Sequence, residues 1–234
     1  MLLSRLREQV LEANLELVRR GLVLYTFGNA SGISRDHKLV VIKPSGVPYE
    51  EMKPEHLVVT DLEGQIVEGS LRPSSDLPTH LVLYQAFPEI GGVAHTHSEY
   101  ATSWAQARRA IPCFGTTHAD YFHGPVPVTE PMPDDEIAGE YEENTGTAIL
   151  RAFRDRSPVA LPGVLVANHG PFAWGKNVAA AAHNAVILEA IARMAYFTTT
   201  LNQQASPIGK TLHDRHYLRK HGSNSYYGQA KEGK

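Results

Sequence analysis

The sequence predicts an α/β fold, and three observations carry that expectation. Apolar, strand-like runs at 38–43, 92–97 and 163–170 end in lysine, histidine or glycine. Amphipathic or alanine-rich stretches with helical spacing alternate with them. The 234 residues contain no repeat or low-complexity linker, and such a length suffices for one sizeable core, so residues 1–234 are read as a single domain. Strands alternating with helices make a parallel sheet the default expectation.

Composition excludes several classes of function. A formal net charge of −3 provides no global basic field for nucleic acid or a membrane surface, so the expected partner is a small molecule. No stretch reaches about 20 consecutive apolar residues, the length of a membrane span. The opening Met1-Leu2-Leu3-Ser4-Arg5-Leu6-Arg7 soon meets Glu8 and alternates charge with apolar residues, unlike a signal peptide. One cysteine, Cys113, allows no internal disulfide, and the cytoplasm is the expected compartment. Twelve histidines beside one thiol favour imidazole and carboxylate metal chemistry, and Cys113 reads as a small buried residue with no adjacent base.

In chain order, Leu3, Leu6, Val10, Leu11, Leu15 and Val18 predict a helix over 2–20, stopped by Gly21. Residues 26–34 are small and polar, and read either as an ordinary loop or as a turn passing close to a bound group. A buried strand over 38–43 runs into Pro44-Ser45-Gly46, a tight turn whose lysine, hydroxyl and amide suit a phosphate as well as they suit a plain turn. Residues 57–61 and 65–67 make a hairpin. Ser74, Ser75 and Asp76 precede a helix starting near Pro78 with the stripe Leu81, Leu83, Tyr84 and Phe87. They read as caps or, more sharply, as a phosphate seat with a carboxylate turned toward a metal.

A central strand over 92–97 places His95 and His97 at its carboxyl end, the edge where α/β sheets prefer ligands. Alternate strand residues share a face, so both imidazoles can reach one ion. Roughly half to one such His-x-His pair is expected by composition alone, so its surroundings must decide. A helix over 99–108 follows, then a polar loop at 115–124, a helix over 134–154 containing Glu142, and a second strand-end histidine, His169, after 163–168. Residues 177–201 form the longest helix, with Ile187, Leu188, Ile191, Met194 and Phe197 on its apolar side. The tail is rich in histidine, arginine and tyrosine, and is read equally as disordered or as docked onto a site.

The joint order of these motifs closely resembles the L-ribulose-5-phosphate 4-epimerase family of the class II aldolase and adducin-head superfamily. The motifs are Gly28-Asn29, Lys43-Pro44-Ser45-Gly46, Pro73 to His80, His95-Thr96-His97, Gly115 to Tyr121, Asn168 to Gly175 and Tyr226-Tyr227-Gly228-Gln229. The resemblance covers nearly the whole chain. It implies a three-layer α/β/α fold around a mainly antiparallel sheet, in place of the parallel default. It also implies a homotetramer with intersubunit active sites, a sugar-phosphate substrate and a divalent metal, with Zn2+ first among candidates.

Residue by residue, the resemblance assigns Asp76, His95, His97 and His169 to the metal. It assigns Asn29, Lys43, Ser45, Gly46, Ser74 and Ser75 to the substrate phosphate. Asp120 and Tyr227 become acid–base groups, supported by Thr116, Glu142 and His216. The implied reaction is retro-aldol cleavage and re-addition across C3–C4 of L-ribulose 5-phosphate, giving D-xylulose 5-phosphate. The alternatives are a sugar-phosphate aldolase, whose relatives carry a catalytic glutamate near the position of Asp76, and a non-catalytic adducin-like interaction domain. The histidine and aspartate set argues against the latter.

Overall fold

The computed structural model describes residues 1–222. Its centre is a seven-stranded sheet of β1 (Asn29–Ser34), β2 (Leu39–Ile42), β3 (Val58–Thr60), β4 (Ile66–Glu68), β5 (Gly92–His95), β6 (Gly163–Val166) and β7 (Gly170–Gly175). The spatial order is β4-β3-β2-β1-β5-β7-β6. Every neighbouring pair is antiparallel, as the family resemblance implies and contrary to the default reading of alternating strands and helices. A parallel pair needs a crossover, whereas here β1–β2, β3–β4 and β6–β7 are joined by short turns.

The helices are α1 (Ser4–Arg19), α2 (Leu77–Ala86), α3 (Glu99–Gln106), α4 (Thr116–Ala119), α5 (Asp134–Ala138), α6 (Tyr141–Ala152), α7 (Val178–Leu201) and α8 (Lys210–His221). They cover both faces of the sheet. Along β2, Val40 and Ile42 enter the core built with α2, α3 and α6, while Val41 enters the core built with α1. This is the period-two alternation of a strand buried on both sides. Helix α7 serves both cores, giving Ala181, Ala182 and Ala185 to the α1 side and Leu188, Ile191 and Ala195 to the other. It is long and apolar enough in average composition to cross a membrane, the one such helix among the described residues. Its small-residue stripe instead packs on β5 and β7.

Several expectations are corrected. Residues 29–34 form a central strand, not a loop. Ala30 and Gly32 are small because α1 lies directly on that face, and a Cβ at Gly32 would meet Leu6 Cδ1 at 2.9 Å. The predicted helix over 134–154 divides into α5 and α6 around Gly139. The polar loop at 115–124 contains α4. The tail is ordered through α8, docked against the 118–123 segment.

Two buried polar side chains join α1 to the sheet. Asn14 donates to the Ala30 carbonyl (3.0 Å) and accepts from the Ala30 amide (2.9 Å). Arg7, fully buried, donates to the carbonyls of Leu2, Pro54 and Leu57 and pairs with Glu68 at 2.8 Å. Together these bonds fix β1, and therefore Asn29, against its neighbours.

Candidate metal and phosphate site

A cavity of about 400 Å³ opens where β1 begins and β5 ends. Into it project Asn29 from β1, Lys43 and the 45–46 turn after β2, Ser74 to Asp76 before α2, His95 and His97 at the end of β5, Tyr141 and Glu142 from α6, and His169. All six phosphate candidates and all four metal candidates from the sequence therefore line one space. The local reasons are visible in the backbone. Asn168 adopts a left-handed conformation (φ 62°), which closes the β6–β7 turn and presents His169 at its tip. Gly28, at φ 89°, passes so close to β5 that a Cβ there would lie 2.9 Å from the His95 carbonyl. The side chain of Glu189 on α7 accepts from the amides of Tyr100 and Ala101, both at 2.9 Å, which anchors the start of α3 just beyond His97.

The donor atoms of His95, His97 and His169 all lie within 4.8 Å of one another. Nε2 of His97 stands 3.1 Å from Nε2 of His95. Two ligands of a tetrahedral ion with ~2.05 Å bonds are about 3.3 Å apart, so the spacing suits one cation. His95 donates from Nδ1 to the Pro171 carbonyl at 2.9 Å, which fixes the tautomer and leaves Nε2 as a lone-pair donor facing the cluster. Burial, reinforced by repulsion from His95 and His97, pushes His169 down to about 3. Burial and His95 also lower His97. His97 and His169 are thus neutral near pH 7, the form that a metal ion would require of them. The residues present fit a divalent ion.

Asp76 occupies the N-cap position of α2 without capping it. Its carboxylate instead accepts from the Asn29 amide at 2.6 Å. Burial raises Asp76, but His95, His80 and the Asn29 bond outweigh it, leaving the group below the usual carboxylate range. It lines the same cavity as the three imidazoles yet is not one of the tight donor trio.

The end of the cavity lined by Lys43, Ser45 and Ser74 is neutral or cationic. The Asn29 amide also donates to Ser74 Oγ at 3.0 Å. Lys43 is almost wholly buried, with its ammonium 3.2 Å from the Pro44 carbonyl and 4.7 Å above the Tyr49 ring. Burial lowers its pKa against the opposing pull of Asp76. A buried ammonium held by one carbonyl and a ring favours an anion that enters the cavity.

Thr116, Asp120 and His216 stand apart, since none of them lines this cavity. They gather instead around Asp120, where His216 Nδ1 lies 3.0 Å from the carboxylate and Arg219 donates to both oxygens at 3.0 and 2.7 Å. Burial raises Asp120, but Arg219, His216 and Lys220 leave it below the usual range. Tyr227 lies outside the described residues. Sequence reasoning passed over Tyr141, whose hydroxyl is 3.3 Å from His169 Nδ1, and Glu189. Tyr141 had one usable signal, its place beside Glu142 on a helix. Glu189 had none.

The model of the class II aldolase and adducin N-terminal domain matches residues 8–196. The chain belongs to this family. Among curated relatives, an L-ribulose-5-phosphate 4-epimerase (UlaF) from Salmonella paratyphi B is 53% identical over 97% of this chain and 100% of its own length. The corresponding epimerase of Salmonella typhi is likewise 53% identical over 97% of this chain and 100% of its own. Among solved structures, an L-fuculose 1-phosphate aldolase superposes with TM-score 0.79 at 27% identity, covering 94% of this chain and 97% of that one. In this chain the cluster of His95, His97 and His169 lies in the cavity at the end of β5.

Proposed function

We infer that this chain is an epimerase that interconverts L-ribulose 5-phosphate and D-xylulose 5-phosphate. The observation that carries the reading is one cavity holding three converging imidazoles at one end and a buried lysine with serine hydroxyls at the other, in a chain 53% identical to curated epimerases of that substrate. C4 of the substrate carries no acidic proton, so its inversion is easiest by breaking and remaking C3–C4.

Lys43, Ser45, Ser74, Ser75, Asn29 and the Gly46 amide hold the phosphate, so glycolaldehyde phosphate stays bound after cleavage. His95, His97 and His169, with Asp76 beside them, hold a divalent cation, Zn2+ by the donor chemistry, that supplies Lewis acidity to the developing enediolate charge. The retained aldehyde turns and re-adds through its other face, which requires proton transfer at the C4 oxygen on two sides. Asp120 and Tyr227 are the acid–base pair, with Thr116, Glu142 and His216 in support.

The separation of the Asp120 group from the cavity supports an arrangement in which a neighbouring protomer brings that group to the substrate. The working form is then a homotetramer of single-domain chains in the cytoplasm. Metal-loaded protein incubated with L-ribulose 5-phosphate tests the reading. Xylulose 5-phosphate is the expected product. Accumulated glycolaldehyde phosphate would make the chain an aldolase, and no turnover would defeat both.

A further inference from the structure

A second trio of potential ligands lies away from the cavity, where α8 docks on the segment following α4. The donor atoms of His123, His213 and Asp214 all lie within 4.8 Å of one another. His213 Nε2 is 3.1 Å from the Phe122 carbonyl, which only accepts, so Nε2 carries the hydrogen and the neutral ring has its lone pair on Nδ1. That Nδ1 faces Asp214 Oδ1 at 3.4 Å, and His123 Nε2 faces the same oxygen at 3.2 Å.

In a neutral His213 ring, a lone pair opposite a carboxylate oxygen is repulsive unless something positive lies between them. The two separations match the ~3.4 Å edge of a tetrahedron of ligands about 2.0–2.1 Å from an ion. Phe122 supplies the outer carbonyl that orients a ligating imidazole. Lys210 pairs with Asp214 through the other oxygen, Oδ2, which leaves Oδ1 to the two rings. The bond from Lys210 is the main pull that brings the Asp214 carboxyl down to about 2, so it is ionised at neutral pH. The side chain of His123 is 43% exposed, giving an ion a path from solvent.

We propose that His123, His213 and Asp214 form a second, weaker divalent-cation site that clamps α8 to the segment after α4. The two imidazoles and one carboxylate suit a borderline ion such as Zn2+, with remaining positions open to water. The clamp joins the same two segments that meet at Asp120 through His216 and Arg219. Its bearing on Asp120 rests on the epimerase reading, whereas its existence as a metal site does not.

The probe is Zn2+ alone. Titrating metal-free full-length protein should reveal two classes of site per chain, a tight one abolished by His97→Asn and a weaker one abolished by His123→Asn. His123→Asn should weaken the second class at least about 100-fold without altering the first, and His213→Gln should do the same. Zinc should also raise the melting temperature of His97→Asn but not that of His97→Asn combined with His123→Asn. His123 is half-exposed, so its replacement leaves no buried cavity. Crystals grown with zinc should show an anomalous peak among the three side chains. A single class of site in the wild type, a zinc titration unchanged by His123→Asn and His213→Gln, or no anomalous peak at saturating zinc would each overturn the proposal, leaving a proton on His213 to bridge the contact.

Discussion

Asn29 and His95 are register partners across the β1–β5 ladder. One backbone pairing therefore fixes a residue of the proposed phosphate pocket opposite a residue of the proposed metal cluster, and the distance from Asn29 to the imidazoles is set by the sheet. The side chain of Asn29 extends this coupling by donating to both Ser74 and Asp76.

His97→Asn should fold and lose tight metal binding, because His97 provides one of three converging donor atoms. Zinc affinity at that site should fall by roughly 100-fold or more, and turnover should fall with it, since the Lewis acid is lost. Metal analysis of the purified variant together with its circular dichroism checks both parts. A folded variant with wild-type metal content would remove His97 from the site.

Replacing Lys43 by methionine retains the buried stem and removes the charge that faces the cavity. Hydrogen bonds to charged groups contribute about 1.5–3 kcal/mol, so KM for the sugar phosphate should rise roughly 10- to 150-fold while metal content stays constant. Initial-rate kinetics decide the matter. An unchanged KM would place the phosphate elsewhere.

Asp120→Asn should lower kcat roughly 100- to 10,000-fold without affecting metal content, and Tyr227→Phe should behave similarly. If active sites are shared between protomers, mixing unfolded Asp120→Asn and His97→Asn chains and refolding them together should restore activity. In a ring with random placement, about a quarter of the interfaces would combine both intact halves. Recovery no greater than the sum of the two separate variants would confine each site to one protomer.

His80 is fully buried on the side of β1 that faces α2, with Nδ1 2.7 Å from Ser31 Oγ, which also meets the Tyr84 hydroxyl at 2.8 Å. Burial, against the attraction of Asp76, pushes its pKa from 6.5 down to about 3. Between those values the unfolded chain binds a proton that the folded chain does not. The contribution is complete above pH 6.5 and is lost as pH falls toward 3, at about 1.4 kcal/mol per pH unit. Urea unfolding at pH 6.5 and pH 5 should differ by about 2 kcal/mol more in the wild type than in His80→Asn. Equal differences in the two proteins would exclude His80 as the source.

Much of the fold was legible because local chemistry agreed with it. The spacing of Leu6 and Val10 marks α1, and the run from Leu39 to Ile42 marks β2. The strand over 29–34 was not, because Asn29-Ala30-Ser31-Gly32 has the composition of a turn and becomes a strand only where α1 and two neighbouring strands close on it. The strand over 170–175 was hidden by Pro171 and two glycines, although it pairs on both sides. The gap between α5 and α6 was concealed by a continuous helical pattern around Gly139.

By itself the sequence determined the residue types and their order: three histidines at element ends, a lysine before Pro-Ser-Gly, two serines and an aspartate ahead of a helix. Those identities set what the chain can bind, because donor chemistry belongs to side chains. Tertiary structure decided which of them share a space. The antiparallel register brings His169 to His95 and His97, while Asp76 is drawn to Asn29 and Asp120 is held on α8 by Arg219 and His216. Such pairings depend on strand order and on competing hydrogen bonds between residues far apart in the chain, and no local pattern encodes either.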